Sequence, residues 1–193
     1  ILVEKPATLN LKEINKVEEY LLNKNLFFGE AYMYRYHPNI RLILDLIANN
    51  EIGNLLSMES FFGTNILSKK KFFFFFKKKK IDKNSRQFNK KLGGGCILDL
   101  GCYPTSLTIL ISSLIKNMNY NNPRVKVLER KIGETGVDVH ARAQIIYDNG
   151  FVSEVKASFK EEMENNTIIK GKKGEILIKN TFTGIDEIKV NLG

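Results

Sequence analysis

Two short stretches carry the side chains best suited to chemistry. Glu4-Lys5-Pro6 follows an apolar triplet, Ile1 to Val3, that reads as the inside of a strand. Asp99 and Tyr103 lie four residues apart, a spacing that puts two side chains on one helix face. Pro104 fits a first helical turn, where its missing N–H costs no hydrogen bond, so the pair reads as the N-terminal end of a helix. The field there favours anions and tyrosinate alike. Taken singly, each residue also has an ordinary role: Lys5 as a solvated loop lysine, Asp99 as a helix cap, Tyr103 as a core aromatic with a hydrogen-bonded hydroxyl.

The elements that must position these residues are legible in outline. After Pro6, Asn10 is a plausible N-cap with Glu13 three residues on, and Leu11, Ile14, Val17 and Leu21 fall on one helical face. Residues 26–36, short and aromatic-rich, read as a strand; a second helix follows, with Pro38 at its start and Gly53 beyond its end. Strand, helix, strand and helix suggest the tail of an α/β sheet. From Leu55 the pattern alternates through Leu56, Met58, Ser60 and Phe62, as in a strand with one face covered. Gly93, Gly94 and Gly95 precede an apolar segment, residues 96–115, whose length favours a helix. Beyond Pro123 the chain reads as strands, with a hairpin at Tyr147-Asp148-Asn149-Gly150 and a turn between Gly171 and Gly174, hence an α+β second domain.

The formal charge of +9 is a local matter. Residues 69–91 hold eleven Lys or Arg and one acid, Asp82, a net +10; the remaining 19 basic and 20 acidic residues sum to −1. Within that segment KKKFFFFFKKKK admits three readings: a phosphate clamp, a membrane-surface anchor, or a surface loop. A loop with partly packed phenylalanines and outward lysines fits best. No run reaches the roughly 18 uninterrupted apolar residues of a spanning helix, because residues 96–115 contain Asp99 and Pro104. Cys96 and Cys102, without a CxxC or His-rich context, argue against a disulfide framework and a zinc site, and the expected location is cytoplasmic. The apolar opening at Ile1, without a signal peptide, reads as a fragment of a longer chain.

Three segments, ILVEKPATLN, GEAYMYRYHP and NKKLGGGCILDLGCYP, occur in the order and approximate spacing of the Gfo/Idh/MocA family of NAD(P)-dependent oxidoreductases, and IIKGKKGEILI resembles its sheet domain. The resemblance covers nearly the whole chain, with EKP and the GGGxLxDxGxx[HY] pattern its distinctive parts. It implies an α/β plus α+β fold: the C-terminal part of a Rossmann domain over 1–36, then, over 37–193, an open, mostly antiparallel sheet domain with helices on one face. The active site would lie in the cleft between them. Lys5, Asp99 and Tyr103 match the catalytic positions; Glu4, Lys5, Pro6 and Arg35 are the candidates for contact with NAD or NADP, and the Lys5-Pro6 bond is expected to be cis.

Tyrosine at 103, where many relatives have histidine, resembles the dihydrodiol dehydrogenase and glucose-fructose oxidoreductase branches. In the implied chemistry a base takes the hydroxyl proton of an alcohol while hydride leaves its carbon. A tyrosine with a pKa of about 10 would need a nearby cation and the helix-end field, and Lys5 could supply the cation. Asp99 either hydrogen-bonds the substrate hydroxyl or orients Tyr103 and Lys5. Arg35 either approaches the nicotinamide or substrate or is a surface, ion-paired arginine. His37 reads as a cap, and His140 shares a strand face with Asp138 and Arg142; neither has a metal partner in sequence, so no metal is expected. Cys102 reads as a small residue in a packed turn rather than a reactive thiol, and Cys96 as buried.

No GxGxxG follows a strand, so the main anchor for a dinucleotide pyrophosphate is missing, and the 193 residues alone are expected to bind NAD(P) weakly and to be inactive. The function implied is hydride transfer between NAD(P) and an alcohol carbon of a sugar, cyclitol or cyclic diol. Homo-oligomerisation through the open sheet is expected, with no specific nucleic-acid or membrane partner. The competing classes are a non-catalytic sensor or assembly module of the same fold and a nucleic-acid binder acting through the lysine tract.

Overall fold

The computed structural model describes residues 1–67, 82–116, 118–119 and 121–193, so the lysine and phenylalanine tract at 69–80 and its expected surface loop lie outside the described residues. The chain opens as a β-α-β unit. β1 (Leu2–Val3) and β2 (Gly29–Glu30) pair in parallel, joined by α1 (Leu11–Lys24). The start of α1 is closed as its sequence predicts. The Glu13 N–H donates to Asn10 Oδ1 (3.0 Å), and the Glu13 carboxylate accepts from the Leu9 N–H (2.9 Å) and the Asn10 amide (2.8 Å). Its apolar stripe is covered less than expected: Ile14, Val17 and Leu21 are half-buried and Leu11 is exposed.

The single strand expected over residues 26–36 is corrected to two paired residues and a 3-10 turn at Met33–Tyr36. The cause is the neighbour. Among the described residues β2 pairs only with β1, whose last paired residue is Val3, and the Ala31 N–H donates to the Val3 carbonyl (2.8 Å) at the end of that ladder. Later N–H groups find partners close by in the chain instead, Arg35 on the Tyr32 carbonyl (3.1 Å) and His37 on that of Tyr34 (3.1 Å). α2 (Pro38–Ala48) follows, with His37 as its N-cap accepting from the Asn39 N–H (3.2 Å), and it buries Ile40, Ile43 and Ile47.

The remainder is a seven-stranded sheet made of β3 (Leu55–Gly63), β4 (Arg124–Ile132), β5 (Asp138–Ile146), β6 (Val152–Ser158), β7 (Thr167–Gly171), β8 (Gly174–Lys179) and β9 (Glu187–Leu192). Their order is β4-β5-β6-β3-β7-β8-β9; β3 and β6 run parallel and every other pair is antiparallel. Both expected turns are present. Gly150, at φ +87°, closes the β5-β6 hairpin, and Lys172 and Lys173 join β7 to β8. The alternation of β3 holds from Met58 through Ser60 to Phe62, all buried, but Leu56 is exposed because the register against β7 shifts between Leu55 and Ser57.

α3 (Cys102–Ser112) packs on β3 and β6, with Thr108 Oγ1 2.7 Å from Ser153 Oγ. The covered face of the sheet is apolar: Met58, Phe62, Ile145, Ala157, Ile169 and Ile176 all belong to one buried cluster. The opposite face is charged, with Arg142 on Glu154 (2.6 Å) and Lys156 on Glu161 (2.7 Å), and His140 lies between Glu129 (3.2 Å) and Glu161 (3.3 Å). One sequence expectation about length changes here. The stretch Lys90–Ser112, 23 residues, is apolar and long enough by length and composition to cross a membrane, while 56% of its most apolar window is buried inside this fold, as in a core helix.

Candidate active site

The site is built on the turn before α3. Two 3-10 turns, Arg86–Phe88 and Lys90–Leu92, lead into Gly93, Gly94 and Gly95, and the backbones of the two segments touch. The Gly94 N–H donates to the Asn89 carbonyl (2.9 Å) and the Gly95 N–H to that of Gln87 (3.0 Å). A Cβ on Gly94 would lie 2.8 Å from the Arg86 and Gln87 carbonyl oxygens, so only glycine permits this approach. Gly95 has φ +121°, and a Cβ there would lie 2.5 Å from Asp138 Oδ1. Asp138, at the start of β5, supplies the cap that the local sequence lacks. Its Oδ2 accepts from the Ile97 N–H (2.7 Å) and the Cys96 thiol (3.2 Å).

From this cap the chain makes a π-helical turn, Ile97–Gly101, before α3. In the i→i+5 register of such a turn, the N–H facing the Asp99 carbonyl would belong to residue 104, which is proline and has none. The Asp99 oxygen instead accepts from Lys5 Nζ at 2.6 Å. Lys5 arrives from the far end of the sequence, on the loop after β1, where the Lys5-Pro6 bond is cis and Glu30 of β2 accepts from the Ala7 N–H (2.8 Å). The ammonium is 3.5 Å from Asp99 Oδ1 and lies over the Tyr103 ring, 4.6 Å from its centroid.

The structure therefore brings Lys5, Asp99 and Tyr103 together, and it adds two residues that the sequence reading passed over. Arg86 Nη2 donates to Asp99 Oδ1 (2.6 Å) and Gln87 Nε2 to Oδ2 (3.2 Å). In sequence Arg86 is one cation of the basic segment, and no local motif distinguishes NSRQF, whose place is set by the backbone contact at Gly94. Asp99 is buried, 5% exposed, which disfavours its charge. The hydrogen bonds from Arg86 and Gln87 and the charges of Lys5 and Arg86 outweigh that and hold its carboxyl below the usual range.

Tyr103 sits among four aromatic rings: Phe62 (5.2 Å between centroids), Tyr32 (5.5 Å), Phe182 (5.6 Å) and Tyr34 (6.2 Å). Here the expected pKa is overturned in direction. Burial in this cluster, then the neighbouring Cys102, Asp99 and Glu4, push the Tyr103 phenol up rather than down. Lys5 lies on the ring face and not at the hydroxyl, so its charge does not bring the phenolate into the neutral range.

The other candidates fall as follows. Arg35 donates to the Ser106 carbonyl on α3 (3.2 Å) and stacks on Tyr32, 5.7 Å from its centroid, so it ties the 3-10 turn to the site helix. Glu4 is exposed and Pro6 half-buried beside Lys5. Burial raises the pKa of both cysteine thiols, Cys102 despite the opposing charge of Lys5. Among the described residues no three His, Cys, Asp or Glu side chains converge as metal ligands.

Residues 40–177 match the family model of the GFO/IDH/MocA C-terminal domain. The trans-1,2-dihydrobenzene-1,2-diol dehydrogenase of Xenopus tropicalis is 26% identical over 191 residues, 99% of this chain and 52% of that enzyme. The D-xylose 1-dehydrogenase (NADP(+)) 2 of Haloferax volcanii is 26% identical over 159 residues, 82% of this chain and 42% of the relative. Among solved structures, a tyrosine-to-phenylalanine variant of KijD10, a 3-ketoreductase from Actinomadura kijaniata in complex with TDP-benzene and NADP, superposes with a TM-score of 0.72. It is 19% identical and covers 99% of this chain and 56% of that one. The chain thus spans about half the length of the relatives it matches. With more than half of its residues matched by the family model, on a sheet and site helix of this form, the chain belongs to the Gfo/Idh/MocA family.

Proposed function

We propose that this chain is the substrate-binding and proton-transferring part of an NAD(P)-dependent oxidoreductase acting on the CH–OH group, or the corresponding carbonyl, of a sugar, cyclitol or cyclic diol. The observation that carries the reading is the lodging of Lys5 Nζ between the Asp99 carbonyl oxygen (2.6 Å) and the Tyr103 ring (4.6 Å). Relatives that are dehydrogenases of a diol and of xylose support the substrate class, and neighbours bound to NADP support the cofactor.

The cofactor's two ends fare differently against the residues present. Glu4, Lys5 and Pro6, where a parallel strand ends beside a phenol, suit the nicotinamide end. The pyrophosphate does not fit at α1, whose start already carries the Glu13 carboxylate, bonded to the Leu9 N–H and the Asn10 amide, and so presents a negative charge to an anion. NAD(P), when bound, supplies the hydride acceptor or donor. Tyr103 Oη gives its proton to the carbonyl oxygen in reduction and takes it back from the hydroxyl in oxidation. Lys5 steadies the ring from its face, and Asp99, with both carboxylate oxygens occupied, orients Lys5 rather than binding substrate.

Residues 1–36 we assign to a Rossmann nucleotide-binding domain and 37–193 to the substrate and oligomerisation domain. The half-covered stripe of α1 and the charged open face of the sheet support that division and self-association. The two free thiols suit the reducing cytoplasm. In the full-length natural protein that contains these residues, Tyr103→Phe should lower turnover by about 100-fold or more while leaving the unfolding midpoint within a few degrees. Unchanged turnover would favour a non-catalytic module instead.

A further inference from the structure

Lys5 has two anchors on one residue, the Asp99 carbonyl oxygen at 2.6 Å and Oδ1 at 3.5 Å, and it leans to the first. Arg86 occupies Oδ1 at 2.6 Å, and Gln87 occupies Oδ2. Of the two cations on this carboxylate, Lys5 is mostly covered, whereas the Arg86 side chain is 54% exposed. Its root is nevertheless fixed, because the Arg86 carbonyl lies against Gly94. Among the described residues its guanidinium makes no other hydrogen bond, so its only partner is Asp99.

We infer that Arg86 is a positioning residue: its guanidinium holds the Asp99 carboxylate, and so keeps the Lys5 ammonium on the Asp99 carbonyl oxygen and over the Tyr103 ring. The inference deepens the oxidoreductase reading and rests on it. An ammonium carries three donors with no fixed plane and follows the strongest acceptor within reach. With Arg86 removed, Oδ1 carries an uncompensated negative charge, and Lys5 moves toward it and away from the ring. Misplacement of an oriented group by about 1 Å is enough to cost about 100-fold in rate.

Because the guanidinium is open to solvent, the space left by truncation can be refilled from solution, which tests position rather than folding. In the full-length protein, Arg86→Ala should lose about 100-fold in kcat with KM little changed, and added guanidinium ion at non-denaturing concentration should restore at least tenfold. Arg86→Lys, which keeps charge but not the planar fork, should fall between the two. A second readout needs no turnover: with carboxyl-13C aspartate, the NMR titration of Asp99 should move to higher pH in Arg86→Ala and return with guanidinium. Wild-type kcat in Arg86→Ala, or a loss that guanidinium leaves untouched, would overturn the inference. Should the wild-type protein transfer no hydride, the oxidoreductase reading fails, and an Asp99 titration unmoved by Arg86→Ala would then sink the inference separately.

Discussion

At the scale of single residues, the telling fact is that Tyr103 holds its proton more tightly than a free tyrosine does. Four aromatic rings crowd its phenol, and among the described residues no cation stands at its hydroxyl. The protonated form dominates at neutral pH, which suits a donor to a carbonyl oxygen. In the oxidising direction the phenolate is needed, and its fraction grows with pH up to a midpoint above the ordinary value of 10.0. Alcohol oxidation, followed as kcat/KM, should therefore climb through pH 10 without levelling, while carbonyl reduction stays flat across the neutral range. An oxidation plateau near pH 7 would show that something else ionises the group. That Lys5, Asp99 and Tyr103 belong to one site was legible from the resemblance carried by EKP and the GGGxLxDxGxx[HY] pattern, and the three side chains do meet. The direction of the pKa shift was not, because Phe62 and Phe182 come from remote parts of the chain and nothing near Tyr103 in sequence announces them.

At the scale of elements, local rules succeeded where the elements close on themselves. Asn10 and Glu13 complete the start of α1 within four residues, and Gly150 closes a hairpin of adjacent strands. They failed where a partner decides. Residues 26–36 stop being a strand because β1 ends at Val3, and the cap of the π turn is Asp138, 41 positions after Ile97, from whose N–H it accepts. The glycines before that turn were visible as a motif, but their purpose was not: they admit the backbone of residues 86–89, which carries Arg86 and Gln87 to Asp99. Gly94→Ala should accordingly cost about 1–3 kcal/mol in denaturant unfolding and also lower turnover in the full-length protein. A variant as stable as wild type would show that the contact yields more easily than its 2.8 Å separation suggests.

At the scale of the whole molecule, a small parallel unit at the start and a seven-stranded sheet meet across the site, one contributing Lys5 and the other Asp99 and Tyr103. At the start of α1 the phosphate end of a dinucleotide would meet the Glu13 carboxylate, so these 193 residues alone should gain little from it. Ligand stabilisation grows as RT ln(1 + [L]/Kd), and with NADP at about a tenth of Kd it stays at about 0.06 kcal/mol. Thermal unfolding of the isolated chain should then shift by less than about 1 °C in millimolar NADP; a rise of several degrees would mean that a phosphate grip exists among these residues.

Pro104 contributes to this arrangement by what it omits. In the register of the π turn, any other amino acid there would bring a main-chain donor to the oxygen that Lys5 now occupies. The tolerance of that position is set by silence rather than by bulk, and a substitution that fits the space without a clash would still place a rival beside the lysine.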